Sequence, residues 1–184
     1  DALLLRQNKQ TLVFRDPRQF GRLRLEVINT EPDWWKNLPP SMTDVRFDPN
    51  FLAHTLKKHA KRPLKALLLD QRYFQGMGNW MADEVLWRAK LHPAHLAGKV
   101  NRSQAKRLFD EIIFVVRGAM DSVGTHGGDP PRGWLFHARW KDGGLCPKTQ
   151  KPLSREQVGG RTSCWCPFIQ RLPSTQRGES NSKA

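Results

Sequence analysis

Long hydrophobic stretches are scarce in this sequence of 184 residues. The longest uninterrupted apolar runs are residues 66–69 and 112–116, whereas a membrane-spanning helix needs about 20 apolar residues in succession. The sequence opens with an acidic residue and only three consecutive leucines, unlike the basic start and longer apolar region of a secretory signal. We therefore expect neither a transmembrane protein nor export by a visible signal.

Cysteines and acidic residues are also few. The three cysteines, Cys146, Cys164 and Cys166, form an odd set clustered in the last quarter, which disfavours a disulfide framework and fits a reducing compartment. The sequence has 17 acidic residues and 31 lysines and arginines, so the formal net charge is +14 and the pI is near 10.4. This excess attracts polyanions at long range, and we expect nucleic acid before an anionic membrane surface as the partner.

The chain begins with a strand pattern. Residues 2–6, 11–15 and 22–28 predict three short strands, because apolar and polar side chains alternate most clearly in the last of them. We assign residues 1–30 to a sheet domain of which only a part is visible. Residues 31–47 contain three prolines and are predicted to be a linker.

From Asp48 onward the apolar residues recur at helical spacing. Asp48 and Pro49 supply an N-cap and a first-turn proline. Four helices are predicted, at residues 48–60, 63–70, 79–90 and 103–123, the last capped by Ser103. We expect residues 48–133 to form a helical domain, whose last ten residues are rich in glycine and proline.

The C-terminal part is predicted to be a β-hairpin finger at residues 134–171. Strand-like runs at 134–141 and 160–165 bracket a turn region, and we place the cysteines in that region. The polar tail, residues 172–184, has the composition of a disordered segment. The predicted fold class is therefore α+β: a remnant of an N-terminal sheet, a helical domain and a C-terminal hairpin.

The most informative segment joins the second and third predicted helices. Gly76 and Gly78 enforce two tight turns, and Asn79 is predicted to cap the helix that follows. Free N–H groups at a helix N-terminus beside glycines can bind a phosphate. Taken alone, Gly-Met-Gly-Asn favours a plain turn between helices with a capping Asn. The surrounding cations favour the phosphate interpretation: Lys57, Lys58, Lys61, Arg62, Lys65 and Arg72.

Three segments of the chain together resemble the formamidopyrimidine-DNA glycosylase and endonuclease VIII family. Leu69-Asp-Gln-Arg-Tyr-Phe-Gln-Gly-Met-Gly-Asn79, followed by Ala82-Asp-Glu-Val-Leu86, resembles the family's helix-two-turn-helix. Asp16-Pro-Arg-Gln-Phe-Gly21 is similar to its loop that enters the duplex, and Gly160-Arg-Thr-Ser-Cys-Trp-Cys166 to its finger hairpin. The resemblance implies excision of oxidised bases, followed by strand cleavage at the abasic site. It also implies a monomer on damaged double-stranded DNA, away from membranes, in the cytoplasm at the nucleoid or in a eukaryotic nucleus.

The resemblance also implies roles for individual residues. Lys65 and Asn79 would grip the phosphates beside the extruded nucleotide, and Arg18 and Phe20 would fill the space that it leaves in the stack. Arg161 would contact the lesion phosphates and assist the late elimination. Without the family, Phe20 would be a turn residue packed on Leu23, and Arg161 a solvated charge. Gln19 replaces a second arginine of many relatives, so one phosphate contact is in doubt. The expected DNA-binding residues are Arg18, Phe20, Lys61, Lys65, Gly76, Gly78, Asn79 and Arg161.

The family's zinc ligands are incomplete here. The positions aligned with two Cys-x2-Cys pairs hold Cys146, Thr149, Cys166 and Ile169. Cys164 with a histidine such as His137 is a possible replacement, but alternate strand residues do not have the spacing of a zinc knuckle. We expect no metal and no cofactor, and a finger stabilised by strand pairing and by burial of Trp140, Trp165 and Phe168.

The family's nucleophile, an N-terminal proline followed by a glutamate, acts through a Schiff base, and this sequence begins Asp1-Ala2. We therefore expect the chain to be the DNA-binding portion of a glycosylase and abasic-site lyase, its catalysis belonging to a longer protein. The alternative is a non-catalytic helix-two-turn-helix module, as in ribosomal proteins that bind RNA. The segments 16–21 and 160–166 favour the glycosylase, because a ribosomal protein has no use for them.

The length of the connector at residues 124–133 indicates which damaged bases the full-length enzyme prefers. Relatives that excise purines cover 8-oxoguanine with a longer loop, and a shorter cover favours lesions that are poorly stacked and flip easily. We expect a preference for oxidised pyrimidines, ring-opened purines or hydantoins; the alternative is a connector with no role in selection.

Overall fold

The computed structural model describes residues 2–16, 22–24 and 26–173. The chain divides into two units, residues 1–37 and 38–184. Within the described residues, no helix has both the length and the apolar character needed to cross a membrane.

The first unit holds an antiparallel hairpin. Strands β1 (Ala2–Gln7) and β2 (Gln10–Arg15) pair Leu4 with Val13 across the ladder, and Asn8 makes the turn with φ 54°. Both strands lie where they were predicted, at residues 2–6 and 11–15. The third predicted strand is not formed, because residues 22–24 and 26–28 have no regular structure. A short helix α1 (Asp33–Lys36) lies inside the predicted linker.

The second unit contains the four predicted helices. They are α2 (Pro49–Lys58), α3 (Leu64–Leu68), α4 (Asn79–Ala89) and α5 (Arg102–Ala119). Asp48 caps α2 as predicted, since its carboxylate accepts the Phe51 N–H at 2.7 Å. The cap of α5 is Asn101 and not Ser103. Asn101 and Gln104 bind each other's backbone N–H groups in a capping box, and the helix therefore starts earlier than expected.

The interior of this unit lies between α2, α4 and α5. Their apolar stripes meet, together with Leu67 of α3, in one cluster that includes Leu52, Leu56, Val85, Leu86, Leu108, Ile112 and Val115. After α5, a π-helical turn (Met120–Gly124) continues the chain to the connector.

The finger hairpin consists of β3 (Ser154–Val158) and β4 (Arg161–Trp165). The strand predicted at 134–141 is wrong: this stretch contains a 3₁₀ turn (Leu135–His137). One backbone N–H of this turn is bound by α4, since the Glu84 carboxylate accepts the Phe136 N–H at 3.2 Å. The partner of β4 instead comes from the predicted turn region.

A second apolar cluster stabilises the finger. It contains Trp87 of α4 with Leu135 and the three cysteines, all buried. Trp165 is buried as expected, but Trp140 and Phe168 are 55% and 51% exposed. The predicted finger interior is therefore corrected: α4 contributes Trp87 where two of the finger's own aromatic side chains were expected.

Candidate nucleic-acid interface

The turn before α4 has two glycines that serve different purposes. Gly76 has φ 78°, in the left-handed region that favours glycine. Gly78 has an extended backbone with φ −86° and ψ 171°, which any residue can adopt. A Cβ added at Gly78 would meet no atom within 4 Å. Gly76 is therefore needed for the shape of the turn, whereas Gly78 leaves open space in front of the helix.

The side chain of Gln71 holds this turn together. Its amide oxygen accepts the Gly76 N–H at 2.8 Å, and its amide nitrogen donates to the Met77 carbonyl oxygen at 3.1 Å. Both backbone groups are thereby fixed before any ligand arrives. Sequence analysis did not single out Gln71, because an exposed glutamine carries no signal of a partner five residues away.

The N-terminus of α4 has no side-chain cap among the described residues. Gly78 is the N-cap, and Asn79 is the first residue inside the helix. The prediction that Asn79 caps α4 is therefore wrong. Its side-chain amide donates instead to the Thr162 carbonyl oxygen of β4, at 3.0 Å. The uncapped first turn leaves backbone N–H groups and the positive end of the helix dipole available for an anion.

The finger turn lies directly against α3. Gly159 and Gly160 have φ 62° and 77°, and a Cβ on Gly159 would come within 2.5 Å of the Ala66 Cβ atom. Only glycine permits this close approach. The exposed Arg161 follows immediately, next to the Thr162 carbonyl that binds Asn79. The fold thus brings Arg161 to the N-terminus of α4. We call Gly78, Asn79 and Arg161 the phosphate surface; Gly76 shapes the turn beside it.

Lys65 lies beneath the phosphate surface and is fully buried. Its ammonium donates to the Asn79 carbonyl oxygen at 2.7 Å and pairs with the Asp83 carboxylate. Burial lowers the pKa of Lys65, and the neighbouring Asp83 opposes this effect. Direct contact between Lys65 and a phosphate stays a prediction; in the structure its ammonium is bound to the backbone of Asn79 and to Asp83.

The other predicted cations divide into paired and exposed groups. The Asp70 carboxylate binds both Arg62 and Arg72 at 2.8 Å. Hydrogen bonds from Arg72, and then from Arg62, hold the pKa of Asp70 below its usual range. Lys57 and Lys61 have exposed side chains. Of the predicted contacts, Arg18 and Phe20 lie outside the described residues.

The four positions aligned with the family's zinc ligands do not supply four metal-binding side chains. The Trp87 indole N–H donates to the Cys146 sulfur at 3.3 Å, and the Thr149 hydroxyl lies 3.4 Å from the Cys166 sulfur. Burial raises the pKa of Cys146, but hydrogen bonds from Thr149, Trp87 and the backbone outweigh it and lower the pKa. Two thiols, a hydroxyl and the Ile169 side chain do not fit tetrahedral zinc coordination. Among the described residues, no group of three or more metal-binding side chains converges.

An apolar cavity of about 380 Å³ adjoins the turn. Its walls include Gly76 and Trp80 on one side and Met120, Val123 and Gly124 on the other. The cavity thus lies between the candidate phosphate site and the start of the connector.

Comparison with known proteins places these features in context. The family model Formamidopyrimidine-DNA glycosylase H2TH domain matches residues 38–127. The formamidopyrimidine-DNA glycosylase of Arabidopsis thaliana is 34% identical over 163 residues, covering 88% of this chain and 41% of that protein. That of Thermus thermophilus is 36% identical over 174 residues, covering 88% and 64%. This chain therefore spans less than two thirds of both curated relatives.

Solved structures agree with this comparison. The crystal structure of the MutM (Fpg) protein from Thermus thermophilus matches with a TM-score of 0.75 and 33% identity, covering 92% of this chain and 68% of that one. A complex between the Lactococcus lactis Fpg and DNA containing an abasic site matches with a TM-score of 0.62 and 28% identity, covering 75% and 53%.

Proposed function

The chain belongs to the formamidopyrimidine-DNA glycosylase family, and we propose that it is the DNA-binding portion of a base-excision glycosylase and abasic-site lyase. The observation that carries this proposal is the hydrogen bond from the Asn79 amide to the Thr162 carbonyl. It brings an uncapped helix N-terminus and an exposed arginine together. These are two of the groups that proteins use to bind phosphate.

Binding is driven by charge and directed by the phosphate surface. A net charge of +14 gives long-range attraction to duplex DNA, and each neutralised phosphate releases counterions. The phosphate surface then provides a contact at one point of the backbone. At an abasic site no base stacking resists distortion of the strand, so this contact forms there at the lowest cost.

The test is a salt titration of the 184-residue chain with intact duplex and with duplex carrying a tetrahydrofuran abasic analogue. We expect affinity to fall steeply with salt for both duplexes. Asn79→Ala should weaken binding to the abasic duplex more than to the intact one, and Asn50→Ala, an exposed asparagine on α2, should change neither. Affinity that hardly varies with salt would contradict the proposal.

A non-catalytic RNA-binding module is the alternative function. Its helix-two-turn-helix would not require a finger arginine, yet here the finger turn packs on α3 and delivers Arg161 to α4. Competition between a duplex with an abasic analogue and a structured RNA distinguishes the two. Preference for the RNA would favour the alternative.

We further propose that the full-length protein prefers oxidised pyrimidines, ring-opened purines or hydantoins over 8-oxoguanine. The connector is short because the π-helical turn continues α5 to Gly124. At its other end Pro130 is buried, and its carbonyl oxygen lies 2.9 Å from the His137 ring. Only residues 125–129 are left between these anchors, too few to form a broad cover over an extruded purine.

In this proposal, the extruded base of such a lesion lies in the apolar cavity beside the connector. Single-turnover excision by the full-length protein tests the preference, with 5-hydroxycytosine, a hydantoin and 8-oxoguanine placed in the same duplex. Fastest removal of 8-oxoguanine opposite cytosine would refute it. Equal rates would favour a connector without a role in selection.

A further inference from the structure

Helix α4 carries two consecutive carboxylates that both point into the protein. Asp83 and Glu84 have no exposed surface. A buried carboxylate is unfavourable unless cations and hydrogen-bond donors surround it. Glu84 binds Arg88 at 2.8 Å and the Phe136 N–H at 3.2 Å. The partners of Asp83 come from three separate segments of the chain.

Asp83 joins α3, the segment after the 3₁₀ turn and the finger. One carboxylate oxygen pairs with Lys65 of α3. The other accepts two N–H groups of Arg139, the first at 3.1 Å, and the backbone N–H of Cys164, also at 3.1 Å. Lys65 and Arg139 are themselves buried. The three segments therefore converge on the same carboxylate.

We propose that Asp83 is a positioning residue that sets the register of β4 against α4, so that Arg161 and the N-terminus of α4 face one DNA phosphate. The proposal rests on the proposed function. In this proposal, Asp83 is buried behind the interface and aligns the groups that touch DNA.

The spacing of two contacts supports this assignment. β4 is bound to α4 at Thr162 through Asn79 and at Cys164 through Asp83. The Thr162 carbonyl and the Cys164 N–H belong to alternate residues of the strand and face the same strand edge, and residues 79 and 83 are four apart and lie on the same face of the helix. One edge of β4 is therefore bound to one face of α4 at two points. A slip of one residue would turn every β4 side chain to the opposite face.

Within the described part of the chain, β4 forms hydrogen bonds to α4 only at Thr162 and Cys164. The buried hydrogen bond from Trp87 to the Cys146 sulfur binds a residue that precedes β3. The Asn79 contact is at the edge, where Asn79 is only half-buried. The finger's own cysteine positions do not form a zinc site that could fix the hairpin independently. Removal of the Asp83 charge should therefore release β4 while the apolar interior of α2, α4 and α5 stays packed.

The first experiment needs no DNA. Amide hydrogen exchange is measured on the 184-residue chain and on Asp83→Asn, with Asp110→Asn as the matched control because Asp110 forms only a surface pair with Lys106. We expect exchange of the β4 amides to rise about tenfold or more in Asp83→Asn, since a charged hydrogen-bond acceptor is lost. Residues 104–116 of α5 should keep their protection, and the control should match the parent.

Arg139→Gln is the second variant, for the case in which Asp83→Asn does not fold. It keeps Asp83 and Lys65 and removes only one partner, so a smaller rise confined to β4 is expected. Unchanged β4 exchange in a folded Asp83→Asn overturns the proposal. A loss of protection spread evenly over α5 and β4 in both variants also overturns it, because Asp83 would then serve only general stability.

The second experiment is a double-mutant cycle on the abasic duplex. Arg161→Ala should weaken binding about tenfold or more in the parent, and by less than about twofold in Asp83→Asn, because a released finger no longer presents the arginine. Equal losses in both backgrounds contradict the proposal. If the parent itself does not bind the duplex, the proposed function fails, and the exchange experiment still decides whether Asp83 sets the register of β4.

Discussion

The two glycines of the turn before α4 provide the sharpest test of the phosphate surface. Gly76→Ala and Gly78→Ala each add one methyl group, two residues apart. A Cβ at either position would meet no atom within 4 Å. The two variants differ in backbone conformation and in the availability of the N–H group, so we expect opposite effects on stability and on DNA binding.

Stability should fall only for Gly76→Ala. Its φ of 78° places an alanine in the left-handed region, at a cost of about 1–2 kcal/mol. At Gly78 the extended backbone accepts alanine. The poorer N-cap propensity of alanine is offset by the smaller entropy of the unfolded chain, about 0.4–1 kcal/mol. We therefore expect the free energy of unfolding of Gly78→Ala to stay within about 0.5 kcal/mol of the parent.

DNA affinity should fall only for Gly78→Ala. The Gly76 N–H is already bound to Gln71 at 2.8 Å, so it has no role at a phosphate. A methyl group on Gly78 stands at the uncapped N-terminus and keeps the phosphate away from the first-turn N–H groups. The loss of one charge-assisted hydrogen bond, about 1.5–3 kcal/mol, corresponds to a roughly tenfold to hundredfold weaker Kd.

The assay combines urea unfolding with fluorescence anisotropy on the abasic duplex, under conditions in which both variants are folded. Normal affinity of Gly78→Ala would refute the placement of a phosphate at this N-terminus. Reduced affinity of both variants in proportion to their stability would show that the methyl groups act through folding alone.

Two further predictions concern metal and chemistry. Purified chain should contain no stoichiometric zinc and should keep its thermal unfolding midpoint in chelator, because Thr149 and Ile169 replace two thiolate ligands; about one zinc per chain by elemental analysis, with unfolding in chelator, would contradict this. Borohydride trapping of the 184-residue chain on abasic DNA should yield no covalent adduct. Although the pKa of Lys65 is lowered by burial, its amine is enclosed and paired with Asp83, so we expect it not to attack the sugar; an adduct mapped to an internal lysine would overturn the reasoning.

Sequence reasoning succeeded where a structural signal and its partner lie within a few residues. The Asp48 carboxylate binds the N–H three residues ahead, and β1 and β2 pair across a two-residue turn. The segment from Leu69 to Leu86 was recognisable as a helix-two-turn-helix because its glycines and helix boundaries form one continuous pattern. One wrong prediction also concerned a local signal. Asn101 was overlooked as the cap of α5, although its capping-box partner Gln104 lies only three residues away.

The arrangement of the candidate site was decided by tertiary contacts alone. Asn79 was expected to cap its own helix, but its amide binds Thr162, 83 residues away in the sequence. Lys65 was counted among the cations around the turn, and the structure buries it with its ammonium bound to Asp83 and to the Asn79 carbonyl oxygen. A cation and a carboxylate look the same in a sequence whether they face water or each other. Only the packing of α3, α4 and β4 removes the water around them, and that packing depends on contacts between residues distant in the chain.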